Sequence, residues 1–401
     1  MGILRIYLAL CVVAAHSGVN LLPWPMHSSV EAVEIFFLIS GFYMSLVSTK
    51  YKSAVEFYTS RFLRIFFPYY VVLGLALVAI TITGFISGNW LDLTPYLTYS
   101  PQKNGLLGVV FTGLTNLTIF FQDWVMFLKN DPGQSFSFTA NFTKDPAPLY
   151  VYLIIRQAWS IGMELTFYIF VPLLSKLKTR WLWVIALVSL GMRIYTYQVL
   201  HQTGDPFNYR FFPFELLLFV GGMISHRVYT ATLAGREQFR LKKPIYYMIF
   251  VAALIFCLYL AQKVPDHLHK LGIAKPYTVL ISYAGWFVVI PILFHLTSRT
   301  KIDRFIGELS YPVYLVHFTV VEIFNLVLER NSLHQTPLAL MSSVVSILIA
   351  ILLYMFIFRP FDQKRPNLVK NLLQKWRIKL PILPTKQTEM GKQDDLFPPR
   401  A

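Results

Sequence analysis

Apolar segments long enough to cross a lipid bilayer recur along almost the whole chain, and they restrict the fold more than any other feature. A membrane-spanning helix needs about 20 predominantly apolar residues, because its backbone polar groups must be hydrogen-bonded within the segment. Hydrophobic residues make up 55% of the chain, which is typical of a protein that crosses the membrane many times. The first segment is not followed by a clear cleavage site, so we predict that it is a retained helix. The eleven candidate segments are 4–21, 31–48, 65–86, 106–121, 150–175, 181–199, 211–229, 244–262, 277–297, 309–328 and 337–358. The sequence therefore predicts an all-α, polytopic bundle of membrane helices.

The basic residues lie in short clusters between these segments, and their placement predicts the orientation of the chain. The clusters are Lys50/Lys52/Arg61/Arg64, Lys176/Lys178/Arg180, Arg227/Arg236/Arg240/Lys242/Lys243, Arg299/Lys301/Arg304 and the stretch from Arg359 to Lys379. All of them face the cytoplasm only if an even number of crossings separates each cluster from the next. Three candidates separate Arg64 from Lys176, and the weakest is 106–121, which is short and rich in Thr and Asn. We therefore expect about ten crossings, a re-entrant or interfacial helix at 106–121, a non-cytoplasmic loop over 122–148, and both termini in the cytoplasm.

The net charge of +16 does not indicate nucleic-acid binding, because the positive residues follow the positive-inside pattern between apolar segments. We predict a membrane domain over residues 1–360 and a basic cytoplasmic tail over 361–401 that is partly disordered. The two cysteines, Cys11 and Cys257, both lie within apolar segments. The sequence therefore predicts neither a disulfide nor a thiolate metal site, and we expect no metal cofactor.

Arg5 and His16 lie in the first apolar segment, in the stretch LRIYLALCVVAAH. Eleven positions are close to three turns of an α-helix, so the two side chains share one face and lie about 16 Å apart along the axis. Ionisable groups are costly within hydrocarbon and usually mark a substrate or proton path. The structural alternative is an anchoring arginine and an unrelated histidine that a neighbouring helix satisfies.

Further polar residues sort into two layers under the predicted topology. Arg61 and Arg64 lie three residues apart near the cytoplasmic side, where they can bind a phosphate together or simply anchor the helix. Glu34 and Glu164 lie toward the outer half with His16, and His317 lies nearer the middle of the membrane. A carboxylate beside an imidazole orients the ring and suits it to general-base catalysis. Glu34 has an interfacial position as its alternative, and His317 has helix capping.

Five stretches of this chain resemble, in the same order, the motifs of the acyltransferase-3 family of integral membrane acyltransferases. The stretches are LRIYLALCVVAAH with its Arg-x10-His pair, VEIFFLISGFYMS, SRFLRIFFPYY with its RxxR, AWSIGMELTFYIFVPLL and IGELSYPVYLVHF. Together they extend the resemblance over residues 3–360. One departure is the methionine that precedes Glu164, where the family often has a second acidic residue.

The resemblance implies transfer of an acyl group, commonly acetyl, from acetyl-coenzyme A or another acyl-coenzyme A to a hydroxyl of a carbohydrate or glycolipid. It implies that Arg5, Arg61 and Arg64 bind the donor, and that His16 is the general base or a transient acyl carrier. Glu34, Glu164 and His317 are the further catalytic candidates, and His317 or Tyr311 could stabilise the oxyanion. The expected setting is a bacterial inner membrane. Lipopolysaccharide, capsule, exopolysaccharide and small glycosides all stay open as acceptors, and acetyl and succinyl as acyl groups.

Two other classes of function fit a bundle with polar residues at two depths. The first is a transporter or flippase for a glycan or a lipid-linked intermediate, although matching helix breaks do not recur in two halves of the chain. The second is a non-catalytic scaffold in a glycan-assembly complex. Replacement of His16 separates these classes, because an enzyme loses acylation whereas a scaffold keeps its function.

Overall fold

The computed structural model describes residues 1–22, 26–100, 105–131, 135–236, 244–331 and 335–375, and it is mostly helical. The helices are α1 (Gly2–Ser17), α2 (Ser29–Ser48), α3 (Ala54–Ser87), α4 (Thr94–Leu97), α5 (Leu106–Thr118), α6 (Gln122–Val125), α7 (Trp159–Leu174), α8 (Thr179–Gln198), α9 (Phe212–Thr232), α10 (Pro244–Ala261), α11 (Val264–Lys270), α12 (Lys275–Thr297), α13 (Lys301–Asn331), α14 (Gln335–Leu353) and α15 (Arg359–Lys375). The exception to the all-helical prediction is a short hairpin within the 122–148 loop. Its antiparallel strands are β1 (Leu128–Asp131) and β2 (Ser135–Phe138), with Leu128 opposite Phe138.

Six of the described helical stretches are long and apolar enough to cross a membrane. They are Ser29–Ser48, Ala54–Ser87, Ile245–Lys270, Lys275–Thr297, Lys301–Val327 and Leu340–Lys375. This finding indicates an integral membrane protein, but it does not confirm the predicted count of about ten crossings. Helices α1 and α7 have 16 residues each, and α5 has 13, which is less than the roughly 20 residues that a span usually needs.

The central helices approach one another closely at glycines. A Cβ on Gly41 of α2 would lie 1.8 Å from the carbonyl oxygen of Phe219, and one on Gly222 of α9 would lie 2.0 Å from that of Leu38. The absence of a side chain at both positions therefore lets the α2 and α9 backbones touch. Small residues have this role in many membrane bundles, because close backbone approach increases van der Waals packing.

The first helix lies alongside α13 in the same direction. A Cβ on Gly307 would lie 2.7 Å from the Cα of Gly2, so the two helices touch near their starts. The side chain of Asp303 accepts hydrogen bonds from the backbone N–H groups of Gly2 (2.7 Å) and Ile3 (3.0 Å). These bonds satisfy donors that the first turn of any helix leaves unpaired. Side chains at matching heights of α1 and α13 are thereby brought together.

The predicted tail begins with helix rather than with irregular chain. Helix α15 follows a short π-helical segment, Tyr354–Phe358, and it buries Val369 and Leu373. Near its start, Phe361 stacks on Phe67 of α3 with ring centroids 3.7 Å apart. The rest of the predicted tail, 376–401, lies outside the described residues, as do Arg240, Lys242 and Lys243 of the basic clusters.

Candidate active site

The predicted pair on α1 defines two ends of the helix bundle. Nη1 of Arg5 lies 3.8 Å from the position that a Cβ would take on Gly307, near the start of α13. His16 contacts His317, ten residues further along the same helix. We call these regions the Arg5 end and the His16 end. His16 lies in the last turn of α1, which stops at Ser17, so the ring is nearer the helix terminus than the sequence indicated. The carbonyl end of a helix favours positive charge, which assists an imidazole that accepts a proton.

His16 and His317 form a hydrogen-bonded pair of imidazoles. Nδ1 of His16 lies 2.8 Å from Nε2 of His317, and the rings stack with an interplanar angle of 12°. Nδ1 of His317 lies 2.8 Å from the backbone oxygen of Tyr314. Because a carbonyl oxygen can only accept, the neutral His317 carries its hydrogen on Nδ1 and accepts at Nε2. His16 therefore donates from Nδ1, and its Nε2 keeps a free lone pair.

The sequence did not predict this partner for His16, since it favoured a carboxylate. The hydrogen-bonded carbonyl and His317 fix the tautomer and orientation of His16, as an aspartate does in other catalytic histidine sites. Among the residues described, no hydrogen-bond partner occupies Nε2 of His16. This nitrogen is the chemically available base at the His16 end.

His16 borders a cavity of about 160 Å³, which we call the His16 cavity. It is lined by residues that include His16, Arg156, Trp159, Tyr209, Arg210 and Phe318. His16 is exposed, because it faces the open space of this cavity. A hydroxyl compound that enters the cavity therefore meets the histidine directly.

The sequence did not predict the two arginines of the His16 cavity, Arg156 and Arg210. Arg156 forms ion pairs with Asp92 and, at 3.5 Å, with Glu322. Burial raises the pKa of Asp92 while the charge of Arg156 opposes that shift. The sequence did not indicate Arg156 as a site residue, because 150–175 reads as one apolar segment. In the structure, α7 begins only at Trp159. An arginine inside such a segment is itself the signal that could have found it.

The Arg5 end gathers the three arginines that the sequence assigned to donor binding. Arg64 pairs with Glu308 of α13 at 3.2 Å, next to Gly307 and thus to Arg5. Arg61 donates to the hydroxyl of Tyr51 at 3.0 Å. Among the described residues, neither Arg5 nor Arg61 has a carboxylate at ion-pairing distance. The region therefore has positive charge that is available to an anion.

The two predicted carboxylates find partners away from His16. Glu164 accepts hydrogen bonds from Ser40 and Tyr168, both at 2.5 Å. Neither contact brings it to the His16–His317 pair.

Glu34 belongs to a fully buried ion cluster. Arg193 of α8 binds Glu34 at 3.1 Å and also pairs with Glu215 of α9, and Tyr283 of α12 donates to Glu34. Three of these charged side chains are at most 2% exposed. The cluster joins four helices, so the observed contacts of Glu34 are structural. Within the described part of the chain, no group of three or more His, Cys, Asp or Glu side chains is placed to hold a metal ion.

Comparison with known proteins identifies the family. A sequence profile described as "Acyltransferase domain" matches residues 1–355, which is most of the chain. The chain belongs to the acyltransferase-3 family. The resemblance inferred from the five motifs is thereby confirmed, and the six membrane-length helices agree with membership of this family of membrane acyltransferases.

Two proteins are similar to parts of this chain at 26–28% sequence identity. Nodulation protein 10 of Rhizobium leguminosarum bv. viciae is 28% identical over 167 residues, which are 41% of this chain and 39% of the relative. An uncharacterized protein of Aquifex aeolicus (strain VF5) is 26% identical over 204 residues, or 49% of this chain and 86% of that protein. The match thus spans well under half of the nodulation protein. No solved structure matches the chain.

Proposed function

We propose that this protein transfers an acyl group, commonly acetyl, from an acyl-coenzyme A to a hydroxyl of a cell-surface carbohydrate or glycolipid. The observation that carries the proposal is the His16–His317 pair, which leaves a basic nitrogen facing a cavity. The arginines of the Arg5 end support the assignment of the donor, because coenzyme A carries several phosphate charges.

The proposed topology has ten crossings by α1, α2, α3, α7, α8, α9, α10, α12, α13 and α14, with α5 not crossing. Successive members of this set then run in opposite directions through a bacterial inner membrane. Both termini lie on its cytoplasmic side. The Arg5 end becomes the cytoplasmic entrance for the donor, and the His16 cavity becomes the outer site for the acceptor. Arg5 and His16 are about 16 Å apart along α1, a distance that the pantetheine arm would cover between the helices.

In the proposed reaction, the acceptor oxygen attacks the thioester carbonyl carbon while Nε2 of His16 takes the hydroxyl proton. A tetrahedral oxyanion forms. Its collapse breaks the C–S bond, and the sulfur of coenzyme A leaves with the proton that His16 carries. His317 acts through His16 and is a positioning residue, because both of its nitrogens are already engaged.

The test is binding of acetyl- and succinyl-coenzyme A to detergent-solubilised protein by calorimetry. Arg61→Ala/Arg64→Ala should weaken binding by about 10²–10⁴-fold, because each of the two charge-assisted contacts contributes about 1.5–3 kcal/mol. The matched control is Lys176→Ala/Arg180→Ala, which removes the same charge from exposed positions on the same proposed face.

Equal losses in the two double variants would contradict a donor site at the Arg5 end. Folded wild-type protein that binds neither compound would contradict acyl-coenzyme A as donor and would favour transport. Hydrolysis or transfer of the bound acyl group, abolished by His16→Ala, would complete the assignment.

A further inference from the structure

Arg210 is held rigidly at the wall of the His16 cavity. Its Nε donates to Asp205 at 2.7 Å, and its Nη2 donates to the second carboxylate oxygen at 3.2 Å and to the hydroxyl of Tyr209. The guanidinium carbon lies 4.2 Å from the ring centre of Trp159 and 4.4 Å from that of Tyr209. A side chain fixed in this way loses little conformational freedom when a ligand arrives.

One nitrogen of this guanidinium has no partner. In the part of the chain that the structure describes, Nη1 of Arg210 is buried and has no hydrogen-bond partner. Leaving a buried donor without a partner destabilises the protein, and more so when the donor is charged. The other nitrogens of Arg210 are all occupied, so Nη1 is the group that a bound acceptor atom would satisfy.

The charge of Arg210 is retained in this setting. Burial lowers the pKa of its guanidinium, but Tyr209 and Asp205 outweigh that effect, and the pKa is raised above its ordinary value. The group is therefore a permanent cation beside the histidine that would act as base.

The acyl-transfer chemistry requires a donor to the oxyanion, and the two candidates from the sequence are already engaged. Tyr311 donates its hydroxyl to the backbone oxygen of Ile65 at 3.1 Å. His317 uses one nitrogen on Tyr314 and the other on His16. Neither has a hydrogen to offer without breaking an existing bond.

We propose that Arg210 is the oxyanion-stabilising catalytic residue, with its Nη1–H donating to the former carbonyl oxygen of the thioester in the tetrahedral intermediate. The inference rests on the proposed function. When the acceptor oxygen bonds to the carbonyl carbon, the π electrons of the C=O bond move to its oxygen, beside Arg210, as the acceptor proton moves to His16. When the C=O bond re-forms, the C–S bond breaks and the sulfur takes that proton from His16. Arg210 gains and loses no proton.

Release of the coenzyme A thiol from acetyl-coenzyme A, with water as acceptor, provides the assay because the same oxyanion forms. Arg210→Ala should lower kcat by about 10²–10³-fold, the usual cost of one oxyanion donor, with the Kd for coenzyme A unchanged. Added guanidinium ion should restore kcat by about tenfold or more, because the space between Asp205 and the two rings accepts it. Asp205→Asn is the control, since it breaks the ion pair but leaves Arg210 between the rings and should cost much less.

A purely structural role predicts different results. Asp205→Asn would then be as damaging as Arg210→Ala, guanidinium would not restore turnover, and the thermal midpoint would fall in parallel. Those outcomes, or an Arg210→Ala variant with full kcat, would overturn the inference and leave the proposed function intact. Wild-type protein that neither binds nor hydrolyses acyl-coenzyme A would overturn both.

Discussion

His317 tests whether the two histidines work as one unit. His317→Leu removes the acceptor of the His16 Nδ1–H and fills a similar volume, whereas His317→Gln offers an amide oxygen in its place. Neither change touches Arg5, Arg61 or Arg64. We therefore expect both variants to bind coenzyme A as the wild type does, and His317→Leu to turn over more slowly than His317→Gln.

The magnitude follows from the single hydrogen bond that is lost. A neutral hydrogen bond contributes about 0.5–1.5 kcal/mol, which corresponds to a loss of about 2- to 13-fold in kcat. The upper limit is the whole contribution of the base, about 10²–10⁴-fold, which would apply if His16 changed tautomer entirely. His16→Ala should reach that limit by itself. His317 would then have nothing left to orient, so His16→Ala/His317→Leu should be no slower than His16→Ala.

The assay is thiol release from acetyl-coenzyme A in a double-mutant cycle of wild type, His16→Ala, His317→Leu and the double variant. Thermal midpoints verify that each protein is folded. An interaction energy equal to the whole effect of His317→Leu would agree with a positioning role. If His317→Leu slowed the His16→Ala protein by the same factor as the wild type, the two histidines would act independently. The argument from the Tyr314 carbonyl would then be refuted.

Three further predictions concern the scaffold of this acyltransferase. Burial raises the pKa of Asp123 from 3.8 to about 7, so the folded state binds the proton more tightly and stability should fall as pH rises from about 4 to 7. Asp123→Asn should remove this dependence, which amounts to roughly 2.5–3 kcal/mol between pH 5 and pH 8, in thermal midpoints at those two pH values, whereas the exposed Asp266→Asn should not. Gly41→Ala should destabilise the bundle strongly because its Cβ would meet backbone, whereas Gly74→Ala, with open space around it, should be neutral or slightly stabilising by chemical denaturation. Arg193→Met should cost about 3–5 kcal/mol by leaving buried carboxylates unpaired; unchanged stability would show that the cluster holds no charge.

Local patterns predicted the parts of this molecule that depend on local structure. The eleven-residue spacing placed Arg5 and His16 on one helix, and α1 includes both. The pair Arg61 and Arg64 likewise lies on one helix, α3. Helical periodicity gives these relations directly, because it requires nothing beyond neighbouring turns.

Partners that lie far apart in the sequence could not be predicted in this way. His16 and His317 are 301 positions apart, and nothing in either segment specifies that α1 lies beside α13. The same limit explains why Glu34 was expected beside an imidazole, when it in fact binds Arg193 on α8. An apolar helix accepts many neighbours, and packing against the whole bundle decides among them.

The start of α7 shows how a tertiary contact can override a local signal. The segment 150–175 is apolar enough to read as one continuous helix, but the side chain of Asn116 binds the backbone of Tyr152 (2.8 Å) and of Ile154 (3.0 Å). Up to Trp159 the chain is not α-helical and forms only two short 3-10 helices, Leu149–Tyr152 and Arg156–Ala158. The residues released from the helix include Arg156, which therefore reaches the His16 cavity.

The distance between the two proposed substrate sites is set by helices and not by loops. Arg5 and His16 belong to α1, while Glu308 and His317 belong to the adjacent α13. Each of the two sites therefore contains one residue from each of two parallel helices. The contact between Gly2 and Gly307 fixes their relative position along the axis. A donor held by its phosphates at one end would then present its thioester at a constant depth. The loops that line the His16 cavity could vary to suit a different acceptor without moving the base relative to the donor.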